Sequence, residues 1–249
     1  HGYEAALRIG RSVGPGHYAL WHNTYTCGVF GAAAAVADLM DLTPEQTVWA
    51  LGNAGAQAAG PWRCRHEPVM TKQLHTAHAA QDGLKAAMLA KHGLTGPRLM
   101  LEGEQGFFAA TAPDADPAAV NATPDAQWLI WETSFKPWPS CRFTHTSIDA
   151  ALDLHEQKPD LDDVKEVLIE TYTDSAVICD EPVPTSEIQA KFSLQHVVSA
   201  TLINGPPGLD QFRGAALTDS AIAELRTRCR IAETKQFNDA YPQHYGTAV

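Results

Sequence analysis

The chain has 249 residues, 45% hydrophobic and 19% charged, which suits one or two folded domains and excludes a disordered chain. Acidic residues outnumber basic ones 29 to 18, for a formal charge of −11; this argues against nucleic acid or an anionic membrane as partner but not against a small anionic substrate. The five cysteines (Cys27, Cys64, Cys141, Cys179, Cys229) are widely spaced without a CxxC pair, so neither structural zinc nor a disulfide framework is indicated and a cytoplasmic location is expected.

In chain order, His1 to Gly10 reads as the middle of an amphipathic helix, and the chain is expected to be cut from something longer. Trp21 to Cys27 then places His22 and three hydroxyl side chains (Thr24, Tyr25, Thr26) directly before a helix nearly bare of bulk. Gly28, Gly31 and Ala32 to Ala35 would let another helix backbone approach closely, so a small, water-poor site could sit at the mouth of that packing. The plainer alternative is an ordinary Gly/Ala-rich core helix with His22 as its cap. Thr43-Pro44-Glu45-Gln46 predicts a helix start with a capping box. Val48, Leu51, Ala54, Gly55, Ala58 and Ala59 continue it with a small-residue face. A further helix is predicted from Thr71 to about Lys91, stopped by Gly93.

Leu94 to Phe108 reads as a loop with a short helix, and Ala109 to Gln127 as an irregular connection. Beyond it the pattern changes. Val164 to Thr173 alternates β-branched positions and predicts a strand, with helices at Thr146 to Glu156, Glu187 to Ile203, and Thr218 to Cys229 with Thr218 as cap. The expected fold is mainly α: an all-α domain over residues 1–134 followed by a smaller α+β domain over 135–249. No run of about 18 apolar residues and no signal peptide is visible.

Four clusters could carry chemistry. His22 is the first. Lys72 and His75 lie three apart at a helix start, sharing one face where free N–H groups favour anions; a solvated helix face is the alternative. Phe135 to His145 is denser: Pro137 and Pro139 stiffen a segment that carries Lys136, Cys141, Arg142 and His145 beside aromatics. It reads as an anion clamp or as a structured interdomain corner. His196, in Lys191 to His196, opens a helix and suits a working or a satisfied core histidine equally. There is no HExxH, GxSxG, GxGxxG or Walker pattern, so metal, a serine-hydrolase elbow and a nucleotide cofactor are not indicated.

These segments in this order resemble the MmgE/PrpD family, which includes 2-methylcitrate dehydratase and cis-aconitate decarboxylase. The resemblance is carried by Gly2-Tyr3-Glu4 with Arg8-Ile9-Gly10, Thr24 to Ala35, Ala50 to Gly55, Gln57 to Gly60, Thr71-Lys72 with His75, Ala79-Ala80 and Gly83, and Gly93 to Pro97 with Leu101-Glu102-Gly103. Phe135-Lys136-Pro137 with Pro139-Ser140-Cys141 and His145, Ile148-Asp149-Ala150 and Ala190 to Gln195 complete it. It implies a large all-α domain followed by a smaller α+β lid, an active site in the cleft between them, a homodimer, and no organic cofactor. The implied substrates are small di- or tricarboxylates. By position His22, Lys72 and Lys136 match polar site residues of the decarboxylase branch. That branch carries histidine where this chain has Cys141 and tyrosine where it has His196, which argues against cis-aconitate decarboxylase itself. Family chains extend beyond this one at both ends, which implies either a partial chain or a missing part supplied by another polypeptide.

The expectation is therefore a hydro-lyase with His22 as general acid/base and Lys72, Lys136, His75 and His145 as further catalytic residues. Arg142, Cys141, His196 and Thr24 would contact a polycarboxylate substrate. The alternatives are a dicarboxylate epimerase, isomerase or decarboxylase, or a non-catalytic subunit that keeps the fold.

Overall fold

The computed structural model describes residues 1–67, 69–122 and 128–249; part of the expected irregular connection, residues 123–127, lies outside the described residues. The architecture is mainly helical with a small three-stranded sheet. Two compact units divide the chain, His1–Ser134 and Phe135–Val249. No helix among the described residues is long and apolar enough to cross a membrane.

The first unit consists of helices α1 (Gly2–Ser12), α2 (Gly14–Leu20), α3 (Asn23–Thr26), α4 (Gly28–Leu39), α5 (Pro44–Gly55), α6 (Thr71–Lys91) and α7 (Phe107–Thr111), with short 3-10 turns between and after them. The start of α5 is a full capping box: Gln46 N–H donates to Thr43 Oγ1 at 3.2 Å and Thr43 N–H donates to Gln46 Oε1 at 3.1 Å. Small residues let α4 lie against its neighbours at backbone distance. A Cβ at Gly31 would fall 2.5 Å from the Gly2 carbonyl oxygen and 2.8 Å from the Ala6 Cβ, so α1 crosses α4 there. A Cβ at Gly83 would fall 2.5 Å from the Ala32 Cβ, 2.6 Å from the Val29 carbonyl oxygen and 2.7 Å from the Ala33 nitrogen, so α6 crosses on another side. Phe30 is fully buried and meets Phe107 edge to face at 5.2 Å, closing the core where the small residues leave room.

The second unit contains α8 (His145–Glu156), β1 (Val167–Thr171), α9 (Thr173–Ile178), α10 (Glu187–Ala190), α11 (Leu194–Asn204), α12 (Ala215–Thr218), α13 (Ser220–Thr227), β2 (Cys229–Glu233), α14 (Lys235–Ala240) and β3 (Thr247–Ala248). The sheet order is β2-β1-β3. β2 runs parallel to β1 with Val167 opposite Cys229, and β3 runs antiparallel with Thr171 opposite Thr247. Buried Ile148, Ile169, Val197, Val198, Phe212 and Leu225 belong to its core.

Several boundaries differ from the sequence expectation, three of them for a visible local reason. The strand begins at Val167, because the Leu161 and Val164 carbonyls are taken by the Arg228 guanidinium at 3.1 and 2.6 Å instead of a ladder. The helix expected over Glu187 to Ile203 is two helices: Ser193 sits in extended backbone, and its Oγ accepts from His196 N–H at 2.9 Å, restarting the helix. The last expected helix is capped by Asp219, which accepts from Ile222 N–H at 3.0 Å, and not by Thr218, which ends α12. Cys229 leaves that helix to open β2.

Replacing Gly83 by alanine isolates the α4–α6 crossing. Helix propensity would gain about 1 kcal/mol, but the atoms the new methyl meets include backbone of α4, which cannot yield as a side-chain tip can. We expect a net loss of about 1–3 kcal/mol, typical of overpacking, read as a lower denaturant midpoint at unchanged m-value. A stabilised variant would contradict the backbone-distance packing.

Candidate functional site

In the first unit, the chemistry-bearing side chains gather where α3 and α6 meet the turn at Gly60–His66. His22 is the residue before α3, and its N–H donates to the Gly60 carbonyl at 2.8 Å. Gly60 has φ +105°, and a Cβ there would fall 3.1 Å from Tyr25 Cδ1 and 3.3 Å from His75 Nδ1. The positive φ favours glycine, and a side chain there would press on both rings, which would have to give by a few tenths of an ångström. The chain thread past Gly60 is what lets the two imidazoles meet: His22 Nδ1 and His75 Nδ1 are 3.1 Å apart, with both side chains 6% exposed.

An Nδ1–Nδ1 contact needs one donor and one acceptor, so the two rings hold complementary tautomers. Each tautomer assignment leaves His22 Nε2 as either a bare lone pair or an N–H, and Nε2 has no hydrogen-bond partner among the described residues. Burial pushes His22 down to about 4, with Lys72, His75 and Arg65 adding positive charge in the same direction. His75 is also held below its ordinary value, first by burial and then by His78. The pair is thus neutral at neutral pH. The His22 ring lies 4.3 Å from the Trp62 ring, and Lys72 Nζ lies 5.9 Å from the same ring.

Tyr25 donates to Asp82 Oδ2 at 2.6 Å, and burial followed by that carboxylate pushes the phenol up to about 12. It stays protonated and braces α3 on α6. Cys27 is pushed up to about 11 by burial, so its thiolate is not accessible as a nucleophile. Thr24 is exposed and makes no hydrogen bond among the described residues. His17, the other buried histidine nearby, is saturated: Nδ1–H donates to the Thr111 carbonyl at 3.0 Å and Nε2 accepts from Thr26 Oγ1 at 2.8 Å. Its role is structural.

In the second unit, the segment 135–145 is braced by its own cations. Lys136 Nζ donates to the Ser140 carbonyl at 3.2 Å, and Arg142 Nη2 donates to the Phe135 carbonyl at 2.9 Å. Cys141 is half-buried, and its N–H donates to the Lys191 carbonyl at 2.9 Å. His145 opens α8 with its ring 4% exposed and neither nitrogen hydrogen-bonded among the described residues. Burial holds it below its ordinary value; the Ser140 carbonyl lies near enough to offset part of this, and Arg142 and Lys136 add to it. His196 is fully buried, with Nε2–H donating to the Gln211 carbonyl at 2.6 Å and burial favouring its neutral form. That bond ties α11 to the Leu209–Phe212 turn.

Sequence reasoning brought out His22, Lys72 and His75 but missed Gly60, Trp62, Arg65 and the Tyr25–Asp82 bond. The signal was present: Trp62 to His66 interleaves an aromatic with three basic residues, the same density that marked Phe135 to His145. Among the described residues, no group of three or more His, Cys, Asp or Glu is placed to hold a metal ion.

The family model of the MmgE/PrpD N-terminal domain matches residues 1–119, and that of the MmgE/PrpD C-terminal domain matches residues 138–249. Human cis-aconitate decarboxylase is 27% identical over 219 residues, covering 85% of this chain and 44% of that protein. The cis-aconitate decarboxylase-like protein oryM of Aspergillus oryzae is 25% identical over 257 residues, covering 95% and 53%. Cis-aconitate decarboxylase of Aspergillus terreus is 27% identical, covering 85% and 46%. The chain spans about half the length of the curated relatives it matches.

The buried imidazoles give a pH dependence whose sign is fixed. His17, His22, His75, His145 and His196 are all held below 6.5, chiefly by burial. Between the folded and unfolded values the unfolded chain binds more protons, so stability is complete above about pH 6.5 and falls as the pH drops toward 4. The urea midpoint at pH 5 should lie clearly below that at pH 7.5, and unfolding at pH 5 should take up protons. Equal midpoints would show that these rings are not buried neutral.

Proposed function

The chain belongs to the MmgE/PrpD family, and on that premise we propose that it forms part of a lyase for a small polycarboxylic acid. In this reading it removes a proton beside a carboxylate and expels water from the adjacent carbon, without an organic cofactor. The observation that carries it is the His22–His75 pair: a neutral imidazole at neutral pH, oriented through Nδ1 by a second imidazole and with Nε2 left for a ligand.

The steps follow from those groups. His22 Nε2 accepts the proton from the carbon next to a carboxylate. The electron pair left behind spreads onto that carboxylate as an enolate-like charge, and the Lys72 ammonium near the Trp62 ring stabilises it. Collapse of the enolate expels hydroxide, and the His22 imidazolium gives its proton to the leaving oxygen. A substrate carboxylate beside the ring also raises the proton affinity of His22, since an opposite charge favours the imidazolium. The reading rests on the first-unit cluster alone.

Decarboxylation is the second reading, favoured by the names of the relatives above. It replaces a carboxylate by hydrogen, so it needs His22 as a proton donor at the start of the cycle. An imidazole pushed down to about 4 in the empty site starts as an acceptor instead. Incubation with citrate-like hydroxy acids and with their unsaturated products separates the two: elimination yields an alkene absorbance, whereas decarboxylation yields carbon dioxide.

Replacing His22 by alanine should lower kcat by about two to four decades, the usual contribution of a general acid/base, with the circular dichroism spectrum unchanged. In the wild type, the acid limb of kcat/KM should fall near pH 4, because that ratio reports the free enzyme. Unchanged turnover in the alanine variant would end this assignment.

A further inference from the structure

The 3-10 turn Trp62–His66 presents two arginines in different circumstances. Arg63 is neutralised: its Nε and Nη2 lie 3.1 and 2.9 Å from Glu67 Oε1. Arg65 has no ion pair and no hydrogen bond among the described residues, in a chain where acidic residues outnumber basic ones 29 to 18. Its guanidinium carbon instead lies 4.8 Å from the Trp62 ring centroid and 5.8 Å from that of Tyr18. Those two rings meet edge to face at 5.7 Å, and the Trp62 ring is the one His22 lies against at 4.3 Å.

Lying over the two rings limits the positions the guanidinium can take while leaving its edge N–H donors available, so less rotamer freedom remains to be lost when a ligand arrives. A carboxylate meets that edge through two parallel hydrogen bonds, a geometry an ammonium cannot supply. The side chain is solvent-exposed, so the edge is reachable.

We propose that Arg65, held over the Trp62 ring, binds a carboxylate of the substrate and is a second cationic anchor beside Lys72 at the His22 site. This rests on the reading that the site takes a polycarboxylic acid. Two anchors on one indole fix the substrate at two carboxylates, so the site selects di- and tricarboxylates over monocarboxylates. Trp62 is itself mostly buried and acts as the floor that sets the spacing.

The test is isothermal titration of wild type, Arg65→Gln, Arg65→Lys and Arg63→Gln with citrate, cis-aconitate and succinate, each variant first checked by thermal melting. Loss of one bidentate charge-assisted contact should weaken binding by roughly 10- to 100-fold in Arg65→Gln. Arg65→Lys should recover part of it, and Arg63→Gln should bind within about twofold of wild type. With any turnover substrate, Arg65→Gln should raise KM far more than it lowers kcat. Unchanged binding by Arg65→Gln, with wild type binding normally, overturns the role of Arg65 and leaves the His22 chemistry standing. Equal weakening by Arg63→Gln also overturns it, since that marks a diffuse basic patch. A wild type that binds none of the three acids overturns both this proposal and the polycarboxylate reading.

Discussion

The spacing between α4 and α6 is the constraint on which the candidate site depends. One stripe of α6 faces α3 and α4: His75, then Ala79, then Gly83, each one turn further on. Gly83 lies against Ala32 and the α4 backbone, and a Cβ at Gly28 would touch the Ala79 Cβ at 3.4 Å. Small residues at those two levels set the interhelical distance, and the same distance carried one turn further places His75 Nδ1 at 3.1 Å from His22 Nδ1. Bulk anywhere along the stripe would separate the imidazoles. Gly60 closes the arrangement, since its φ of +105° favours glycine and a Cβ there would press on the Tyr25 and His75 rings.

The electrostatics follow from that packing. Two imidazoles taken out of water beside cations favour their neutral forms, and neither can be saturated by the other because the contact uses a single nitrogen from each. His17 differs. Both of its nitrogens are committed, to a carbonyl and to a hydroxyl, so burial costs it little and leaves no reactive atom. His196 uses one nitrogen on a carbonyl inside a fully buried ring. At His22 an unshared nitrogen coincides with an aromatic floor and local positive charge.

Much of the fold was legible because its signals are local. The Thr43–Gln46 box, the glycine after α6 and the small-residue faces of α4 and α5 are read from neighbours three or four positions apart, and helices form on that length scale. What failed were the ends set by distant partners. Val164 carries strand-forming character, yet its carbonyl is taken by Arg228, which lies 64 residues away in sequence. Of β2 only Cys229 fell within an expected element, the end of a helix, because the strand becomes evident only when β1 is beside it.

The sequence by itself determined the helical first half, the α+β second half, the family, and the candidacy of His22, Lys72 and His75. Residue type and spacing suffice for these, because each is either a short-range pattern or an ordered set of motifs. Only the tertiary structure decided that His22 and His75 share a hydrogen bond, that Trp62 and Arg65 flank them, and that His17 and His196 are committed elsewhere. Those facts depend on segments tens of residues apart being brought to within a few ångströms, and they depend on which nitrogens burial leaves without a partner. Neither quantity exists until the chain has packed.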